Sequence, residues 1–377
     1  MRLEDLDKNF AVATISDRQV HFLDAASAPF ALEGLPFGTR TDDGAPFCRL
    51  PDELMEALAC ENADAVPAIR ELRRHTAGAA IRFRARSASI AIRYSTRCSY
   101  DMNHMTRCGS AGFDLFRRLP GDLDYRFMGS VQINRPEGPE RRASGEQLIK
   151  VAFGVETDAE CDYLLNLPLY GGVEKIELGF APGALLLPPR PHRIPKPVCF
   201  YGSSITQGGC ASRPGNCYSS HLCRAVDAEQ VNLGFSGNAK GEECMAKLIA
   251  TLDLSCFVLD YDHNAPSPEH LRKTYATFFR TIRKAHPDLP VILVSRPDSD
   301  NCGDDPSSNR RRREVIRQTY LDALAQGDRK VWFVDGRTLF GTTDRDACTV
   351  DGCHPNDLGF YRMFQAILPH LQKALGI

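Results

Sequence analysis

The sequence predicts an α/β fold in which a doubly wound parallel sheet follows an antiparallel, jelly-roll-like β-sandwich. In the second half of the chain, short apolar runs alternate with segments of helical periodicity, which is typical of parallel strands covered by helices on both faces. In the first half, apolar and polar residues alternate along short segments, which is typical of antiparallel strands with one face on a core. A length of 377 residues is long for one core and sufficient for two.

The predicted sandwich spans residues 1–187. Its clearest strands are at residues 81–86, 90–94, 163–167 and 173–178. Two helical patterns precede these strands, at about residues 53–58 and 67–74, and the second has Pro67 where a first helical position tolerates proline. We expect these helices to decorate the sandwich and not to form a third domain.

A proline-rich connector, residues 188–196, leads into the predicted α/β domain of residues 197–377. Proline-rich segments are stiff, so we expect the sandwich to pack against the second domain and to form one wall of its functional site. The strands of the second domain are predicted at residues 198–201, 231–233, 257–260, 291–295 and 331–334. Between them, Leu271, Tyr275 and Phe278 recur at helical spacing.

Two short motifs of the second domain carry the residue types of a serine-based hydrolase. Residues 200–208 read FYGSSITQG directly after a predicted buried strand, which places Ser204 at the carboxyl edge of the sheet, where open α/β folds bind their ligands. Near the end of the chain, Asp351 and His354 lie three residues apart. At that spacing the carboxylate can orient an imidazole that activates a serine.

Two further segments could stabilise an oxyanion. Residues 232–238 read NLGFSGN after a predicted strand, and Gly237 allows a backbone N–H to approach a reacting carbonyl closely. Asn264 follows the next strand, where its side-chain amide could donate to the same oxygen.

With serine, glycine, asparagine and histidine in this order, the sequence resembles the SGNH/GDSL hydrolase superfamily. The resemblance covers roughly residues 197–377. It implies that Ser204 is the nucleophile, that His354 is the base and that Asp351 orients it. It also implies an oxyanion hole formed by the Ser204 N–H, Gly237 and Asn264.

The motifs depart from the family pattern at two places. Ser203 stands where an aspartate is usual, and Asp262-His263-Asn264-Ala265 stands where Gly-x-Asn-Asp is usual. Ser203 and Ser236 are the rival nucleophiles, and both are less favoured than Ser204 by position. No Gly-x-Ser-x-Gly motif occurs, which argues against the α/β-hydrolase fold.

The first half also carries a short motif of one branch of this superfamily. Residues 112–116 read GFDLF and resemble the Gly-x-Asp-Leu-Tyr signature of a sandwich domain that precedes some SGNH hydrolases. Candidates for substrate binding are Asp262 and His263 beside Asn264, and Asp114 and His104 in the first half. For Asp114 and His104 we favour structural hydrogen bonding at a strand end over substrate contact.

Charge and hydropathy exclude several function classes. A net charge of −2 and a pI near 6.6 argue against nucleic-acid binding, and the arginines at 310–313 are expected to form a solvated helix face. No apolar run is long enough to span a bilayer and the acidic N-terminus does not resemble a signal peptide, so we expect a cytoplasmic protein without a membrane partner. The oligomeric state is not predicted.

The 14 cysteines are spread along a chain too large to depend on disulfides, so we expect mostly buried, reduced thiols. Cys210 and Cys353 lie near the nucleophile and the histidine in sequence, and packing is the favoured role for both. No zinc-ligand spacing occurs, and the expected chemistry requires neither metal nor cofactor.

The expected reaction is hydrolysis of a small acyl ester through an acyl-serine intermediate. The resemblance implies a small-molecule substrate such as an O-acetylated carbohydrate. One alternative is an acyltransferase that passes the acyl group to an alcohol. Another is a glycan-binding protein with a vestigial catalytic domain.

Overall fold

The computed structural model describes residues 3–7, 20–38, 40, 44, 47–151, 159–297 and 305–377. It confirms the predicted fold class: two antiparallel sheets in the first half are followed by a five-stranded parallel sheet in the second. Within the described residues, no helix combines the length and apolar character that crossing a membrane requires.

The sandwich consists of a four-stranded sheet in the order β1-β9-β4-β7 and a second sheet in the order β10-β3-β8-β5-β6, with β2 paired to β3. Its strands are β1 (His21–Asp24), β2 (Ala31–Glu33), β3 (Ala80–Arg86), β4 (Ser89–Arg97), β5 (Phe113–Arg118), β6 (Arg126–Val131), β7 (Ala143–Lys150), β8 (Cys161–Asn166), β9 (Gly172–Phe180) and β10 (Leu185–Leu187). The alternating apolar residues, such as Ile81 and Phe83 on β3 and Ile90 and Ile92 on β4, meet in one core between the sheets. All four predicted sandwich strands are therefore present.

The parallel sheet has the order β12-β11-β13-β14-β15. Its strands are β11 (Ile194–Gly202), β12 (Ala228–Gly234), β13 (Cys256–Asp260), β14 (Val291–Val294) and β15 (Val331–Val334). Gly202 at the end of β11 is in register with Gly234 of β12 and with Asp260 of β13, so the turns that follow these three strands meet at one edge. The first strand begins at Ile194, inside the predicted connector.

Helices cover both faces of this sheet. The α-helices of the described residues, in both halves of the chain, are α1 (Leu3–Leu6), α2 (Leu54–Asn62), α3 (Val66–Leu72), α4 (Arg107–Ala111), α5 (Ser204–Gln207), α6 (Tyr218–Val226), α7 (Glu243–Ile249), α8 (Pro268–Ala285), α9 (Pro306–Ala325) and α10 (Asp357–Leu375). On β11, Val198 and Phe200 face the core beneath α6 and α10, whereas Cys199 and Tyr201 face the core beneath α7, α8 and α9. This alternation confirms the doubly wound arrangement.

The expectation that the helices of the first half decorate the sandwich is wrong. Leu54 and Leu58 of α2 and Ile69 of α3 are buried with Tyr201 and Leu233 in the core of the parallel sheet. Helical periodicity identifies an apolar face but not the surface that covers it, so this docking could not be predicted from the pattern of residues. Part of the first half thus completes the cover of the second.

Candidate active site

The turn after β11 presents Ser204 as the first residue of α5. The hydroxyl of Ser203 accepts a hydrogen bond from the Ile205 N–H at 3.2 Å and caps this short helix. Serine and aspartate are both good N-cap residues. Ser203 can therefore cap the helix at the position where the SGNH/GDSL family usually has an aspartate. A Cβ at Gly202 would lie 2.1 Å from Thr206 Oγ1, so the turn requires glycine there.

Ser204, His354 and Asp351 form a hydrogen-bonded chain. Ser204 Oγ lies 3.0 Å from His354 Nε2, and His354 Nδ1 lies 2.7 Å from Asp351 Oδ2. Asp351 Oδ1 also accepts hydrogen bonds from the backbone N–H groups of Cys353 and His354. Burial opposes ionisation of Asp351, but the hydrogen bonds from His354 outweigh it and lower the pKa of Asp351 to about 2. The carboxylate is therefore ionised at neutral pH and can hold the imidazole in one orientation.

Hydrogen-bond donors follow β12 and β13, the two strands that flank β11. Asn264 Nδ2 donates one hydrogen to Phe235 O at 2.8 Å, which leaves its second N–H for another acceptor. Gly237 adopts a φ of +70°, in the left-handed region that favours glycine. Among the hydrogen bonds of the described residues, none uses the backbone N–H of Ser204 or Gly237. An oxyanion hole needs donors of this kind, so the N–H groups of Ser204 and Gly237 and the amide of Asn264 stay predicted oxyanion donors.

The rival serines are placed differently from Ser204. Ser203 is buried, and its hydroxyl caps α5. Ser236 lies in the turn before Gly237, and its N–H donates to Gln207 Oε1 at 3.0 Å. The bond to His354 Nε2 comes from Ser204.

Asp262 and His263 have different surroundings. Asp262 is fully buried: Oδ2 accepts from the Arg296 N–H at 3.1 Å and Oδ1 lies 3.3 Å from Arg312 Nη1. Burial removes it as a candidate for substrate binding. His263 is half-buried, and its Nδ1 lies 3.9 Å from Cys353 Sγ, beside the loop that carries His354.

The prediction that residues 310–313 form a solvated helix face is wrong for two of them. Arg312 is buried and donates to the carbonyls of Asp262 and Ala265 on either side of Asn264. Arg313 pairs with Asp335 at 2.5 Å. The sequence did not distinguish Arg312, which supports the Asn264 loop, from the other arginines of the run. Charge alone does not show which of four consecutive arginines faces the protein interior.

Asp114 connects the two halves of the molecule. Its buried carboxylate accepts from Asn166 Nδ2 at 2.8 Å, from Arg213 Nη1 at 2.7 Å and from the Gly215 N–H at 2.9 Å. The structural interpretation of Asp114 therefore agrees with its surroundings, and full burial removes it as a substrate contact.

His104 does not share this role. It is exposed, and its ring centroid lies 6.1 Å from that of His354 in an edge-to-face arrangement. Its Nδ1 lies 3.2 Å from the Asn103 side-chain oxygen. The expectation of strand-end hydrogen bonding is wrong for His104, because this residue lies in the loop between β4 and α4, where its ring stands beside that of His354.

Two groups of three residues among those described could approach one metal ion. Glu71, His75 and Cys98 form the first, and His104, Asp351 and His354 form the second, with ligand atoms within 4.8 Å of one another in each group. In the first group, Glu71 Oε1 already pairs with Arg141 at 2.5 Å. The second shares two members with the hydrogen-bonded chain of Ser204.

Comparison with family models gives two matches. Residues 195–372 match the GDSL-like lipase/acylhydrolase family, and residues 20–186 match the model described as the N-terminus of SGNH hydrolase-type esterases, whose name is the motif GxDLY. A comparison of the sequence with curated proteins finds no match.

Several solved structures resemble the chain over most of its length. A protein of Bacteroides ovatus ATCC 8483 described as a GDSL-like lipase is 29% identical, with a TM-score of 0.79, and the match covers 95% of this chain and 99% of that one. The salicylyl-acyltransferase SsfX3 of a tetracycline biosynthetic pathway is 18% identical, with a TM-score of 0.72 and coverage of 95% and 98%. A family two carbohydrate esterase from Clostridium thermocellum, solved with cellohexaose, is 15% identical, with a TM-score of 0.54 and coverage of 80% and 93%.

Proposed function

The chain belongs to the SGNH/GDSL superfamily of carboxylic ester hydrolases, in the branch with an N-terminal β-sandwich, and from this premise we propose that it is a serine esterase acting on a small O-acylated carbohydrate. The observation that carries the proposal is the chain of hydrogen bonds from Ser204 through His354 to Asp351, with distances of 3.0 and 2.7 Å. A nucleophile, a base and an orienting carboxylate in contact are the parts that acyl transfer through a serine ester requires.

In the proposed reaction, His354 Nε2 takes the proton of Ser204 as Oγ attacks the ester carbonyl carbon. The carbonyl oxygen becomes an oxyanion, which accepts hydrogen bonds from the N–H groups of Ser204 and Gly237 and from Asn264 Nδ2. The bond to the alcohol then breaks, and the alkoxide takes the proton from His354. A water molecule activated by His354 releases the acid by the same steps, while Asp351 remains ionised throughout.

Two observations support a carbohydrate as the alcohol part. The chain shares its fold with a carbohydrate esterase that was solved with cellohexaose bound. In addition, the exposed ring of His104 lies beside His354, where it can contact the leaving alcohol. Imidazole can both donate and accept hydrogen bonds, as recognition of sugar hydroxyls requires.

Transfer to an alcohol is the second candidate, favoured by the fold shared with a salicylyl-acyltransferase. Hydrolysis is preferred because the side chains of His354 and Asp351 are 27% and 37% exposed, which leaves the base open to water. An acyltransferase must instead keep water away from its acyl-enzyme.

The test compares turnover of para-nitrophenyl acetate by the full chain with that of Ser204→Ala and Ser203→Ala. We expect Ser204→Ala to be folded and inactive and Ser203→Ala, which loses only a helix cap, to keep substantial activity. A serine-directed phosphonate should label Ser204, and labelling of Ser203 or Ser236 instead would reject the assignment. An inactive wild type that binds oligosaccharides would indicate the glycan-binding alternative.

A substrate screen then separates the remaining alternatives. Acetylated oligosaccharides, simple esters and acyl-CoA are each offered with and without an alcohol acceptor. Release of free acetate at the same rate in both conditions supports hydrolysis, and acyl transfer to the alcohol supports the second candidate.

A further inference from the structure

Arg49 is a fully buried cation from the first half of the chain that lies against the turn before Gly237. We call residues 235–238 the oxyanion turn. Arg49 Nη1 donates to the carbonyls of Asn232 at 2.9 Å and Gly234 at 2.8 Å, the last part of β12 before this turn. Its Nη2 donates to the Leu72 carbonyl at 2.7 Å. One guanidinium thus ties the end of α3 to the base of the oxyanion turn.

The positive charge of Arg49 has no carboxylate partner among the ion pairs of the described residues. Asp52, three positions along the chain, pairs at 2.5 Å with Arg73 instead. The guanidinium carbon lies 4.5 Å from the ring centroid of Phe235, the first residue of the oxyanion turn. Burial lowers the pKa of Arg49 to about 9, which still leaves it charged at neutral pH.

The titratable groups that face Arg49 are neutral. Burial raises the pKa of the Cys48 thiol and of the Tyr170 phenol, and it lowers the pKa of His75 well below its usual range, with Arg49 itself contributing. An unpaired buried charge lowers the free energy of unfolding, so the cation at this position is destabilising for the fold.

A second set of contacts holds the oxyanion turn from the same side. The Ser236 N–H donates to Gln207 Oε1 at 3.0 Å, and Gln207 Nε2 lies 3.0 Å from Leu169 O and 3.1 Å from His75 Nδ1. Leu169 and His75 both belong to the first half of the chain. The turn is therefore anchored to that half both through Arg49 and through Gln207.

We propose that Arg49 is a positioning residue for acyl transfer, which fixes the oxyanion turn and whose unpaired charge favours the anionic transition state formed there. This inference rests on the proposed serine esterase mechanism. A charge fixed at a buried position, as that of Arg49 is, acts on a developing oxyanion without having to reorganise and more strongly than a charge in water. The first half of the chain thus contributes to the chemical step as well as to recognition.

The test measures Arg49→Gln and Arg49→Lys in the full chain with para-nitrophenyl acetate. For Arg49→Gln, which keeps an amide donor but no charge, we expect kcat to fall about tenfold or more with KM changed less than about twofold. Affinity for a phenylboronic acid, which forms an anionic tetrahedral adduct on serine, should weaken by the same factor as kcat/KM.

The Arg49→Lys variant distinguishes an effect of the positive charge from an effect of side-chain packing. Burial lowers the pKa of a lysine at this position below that of Arg49, so kcat of Arg49→Lys should begin to fall at a lower pH than kcat of wild type, already between about pH 7 and 8. A role limited to packing would not produce this difference in pH profile. If Arg49→Gln fails to fold, the Lys profile decides, and a profile parallel to that of wild type would reject the proposal.

Arg82→Lys is the matched control, since Arg82 is also buried but pairs with Glu33 at 2.9 Å. It should lower the unfolding temperature and leave kcat unchanged. If Arg49→Gln keeps the kcat and boronate affinity of wild type while Ser204→Ala is inactive, this inference is wrong and the proposed function stands. If Ser204→Ala is active, the proposed function itself fails.

Discussion

The two sides of the candidate active site differ in their distance from solvent. On the nucleophile side, Ser204 is 9% exposed, and Thr206 and Gln207 of the same short helix are fully buried. On the base side, the side chains of His354 and Asp351 are 27% and 37% exposed. One part of the site is built into the protein core and the other is a surface loop.

The difference lies in what holds each side in place. The nucleophile side is fixed by contacts distant in sequence, such as Thr206 Oγ1 to Asp260 Oδ2 at 3.0 Å and Gln207 to His75 at 3.1 Å. On the base side, the hydrogen bonds of Asp351 are local: its carboxylate accepts from His354 Nδ1 and from two N–H groups within three residues of it. Water can replace a lost contact on the exposed side but not on the buried side. We therefore expect substitutions on the buried side to be more harmful.

The largest effect among the variants that follow is expected for Asn264→Ala. Its amide donates to Phe235 O at 2.8 Å and its second N–H is the proposed oxyanion donor. Loss of one such donor lowers kcat by about a hundredfold to a thousandfold, with little change in KM. Steady-state kinetics with para-nitrophenyl acetate measure both constants. An unaltered kcat would mean that the carbonyl oxygen is held by other groups.

A smaller effect is expected for Asp351→Asn on the exposed side. Asparagine keeps an oxygen that can accept the two backbone hydrogen bonds, so the loop should persist. The loss of the charge should lower kcat by about ten- to a hundredfold, less than the roughly ten-thousandfold effect of replacing a buried orienting aspartate. An effect larger than that of Asn264→Ala would contradict the expectation that the exposed orienting carboxylate contributes less to kcat than the proposed oxyanion donor.

His104→Ala is expected to have little effect on a small ester, since His104 makes no part of the hydrogen-bonded chain from Ser204 to Asp351. On an acetylated oligosaccharide, we expect KM to rise about fivefold to tenfold, as for the loss of one hydrogen bond. His104→Gln, which keeps donor and acceptor atoms, should restore part of the affinity. Equal kinetics of wild type and His104→Ala on both substrates would exclude a contact with the alcohol.

The sequence predicted the parts of the fold and site that depend on local pattern. Apolar runs located the five parallel strands, and Ser204 stands at a strand end as predicted. The sequence did not predict the roles of residues that pack against elements distant in the chain. Leu54 and Ile69 carry the periodicity of any amphipathic helix, and only the tertiary structure shows that they cover the parallel sheet.

Buried polar residues were equally hidden in the sequence. Arg312 lies within a basic run, and Arg49 is an isolated cation in a segment without a recognisable motif. Their carbonyl partners, on Asp262, Ala265, Asn232 and Gly234, are backbone atoms, which side-chain identity does not mark. Only their positions in the folded chain reveal that both arginines support loops of the candidate oxyanion hole.

The two sides also differ in the direction in which their carboxyl groups titrate. Burial raises the pKa of Asp260, beneath the nucleophile turn, to about 7, although Tyr218 and Thr206 donate to it. The pKa of Asp351 is lowered to about 2. Asp351 therefore contributes stability that is lost only as pH falls from about 4 towards 2, and it stays ionised between pH 5 and 8.

The smallest effect, and the most specific to the buried side, is expected for the pH dependence of stability in Asp260→Asn. Because the folded-state pKa of Asp260 lies above its unfolded value, its contribution is complete below about pH 4 and declines by up to about 1.4 kcal/mol per pH unit as pH rises towards 7. Wild type should thus lose more stability between pH 5 and 8 than Asp260→Asn, measured by urea unfolding at each pH. The comparison is made in a His192→Gln background, because His192 titrates with the same sign. Burial lowers the pKa of His192, but the hydrogen bonds that it donates to the carboxylates of Asp227 and Glu33 outweigh burial and raise the pKa. Equal slopes for the two proteins would show that Asp260 is ionised in the folded state throughout this range, and that the nucleophile turn rests on a buried carboxylate and not on a neutral acid.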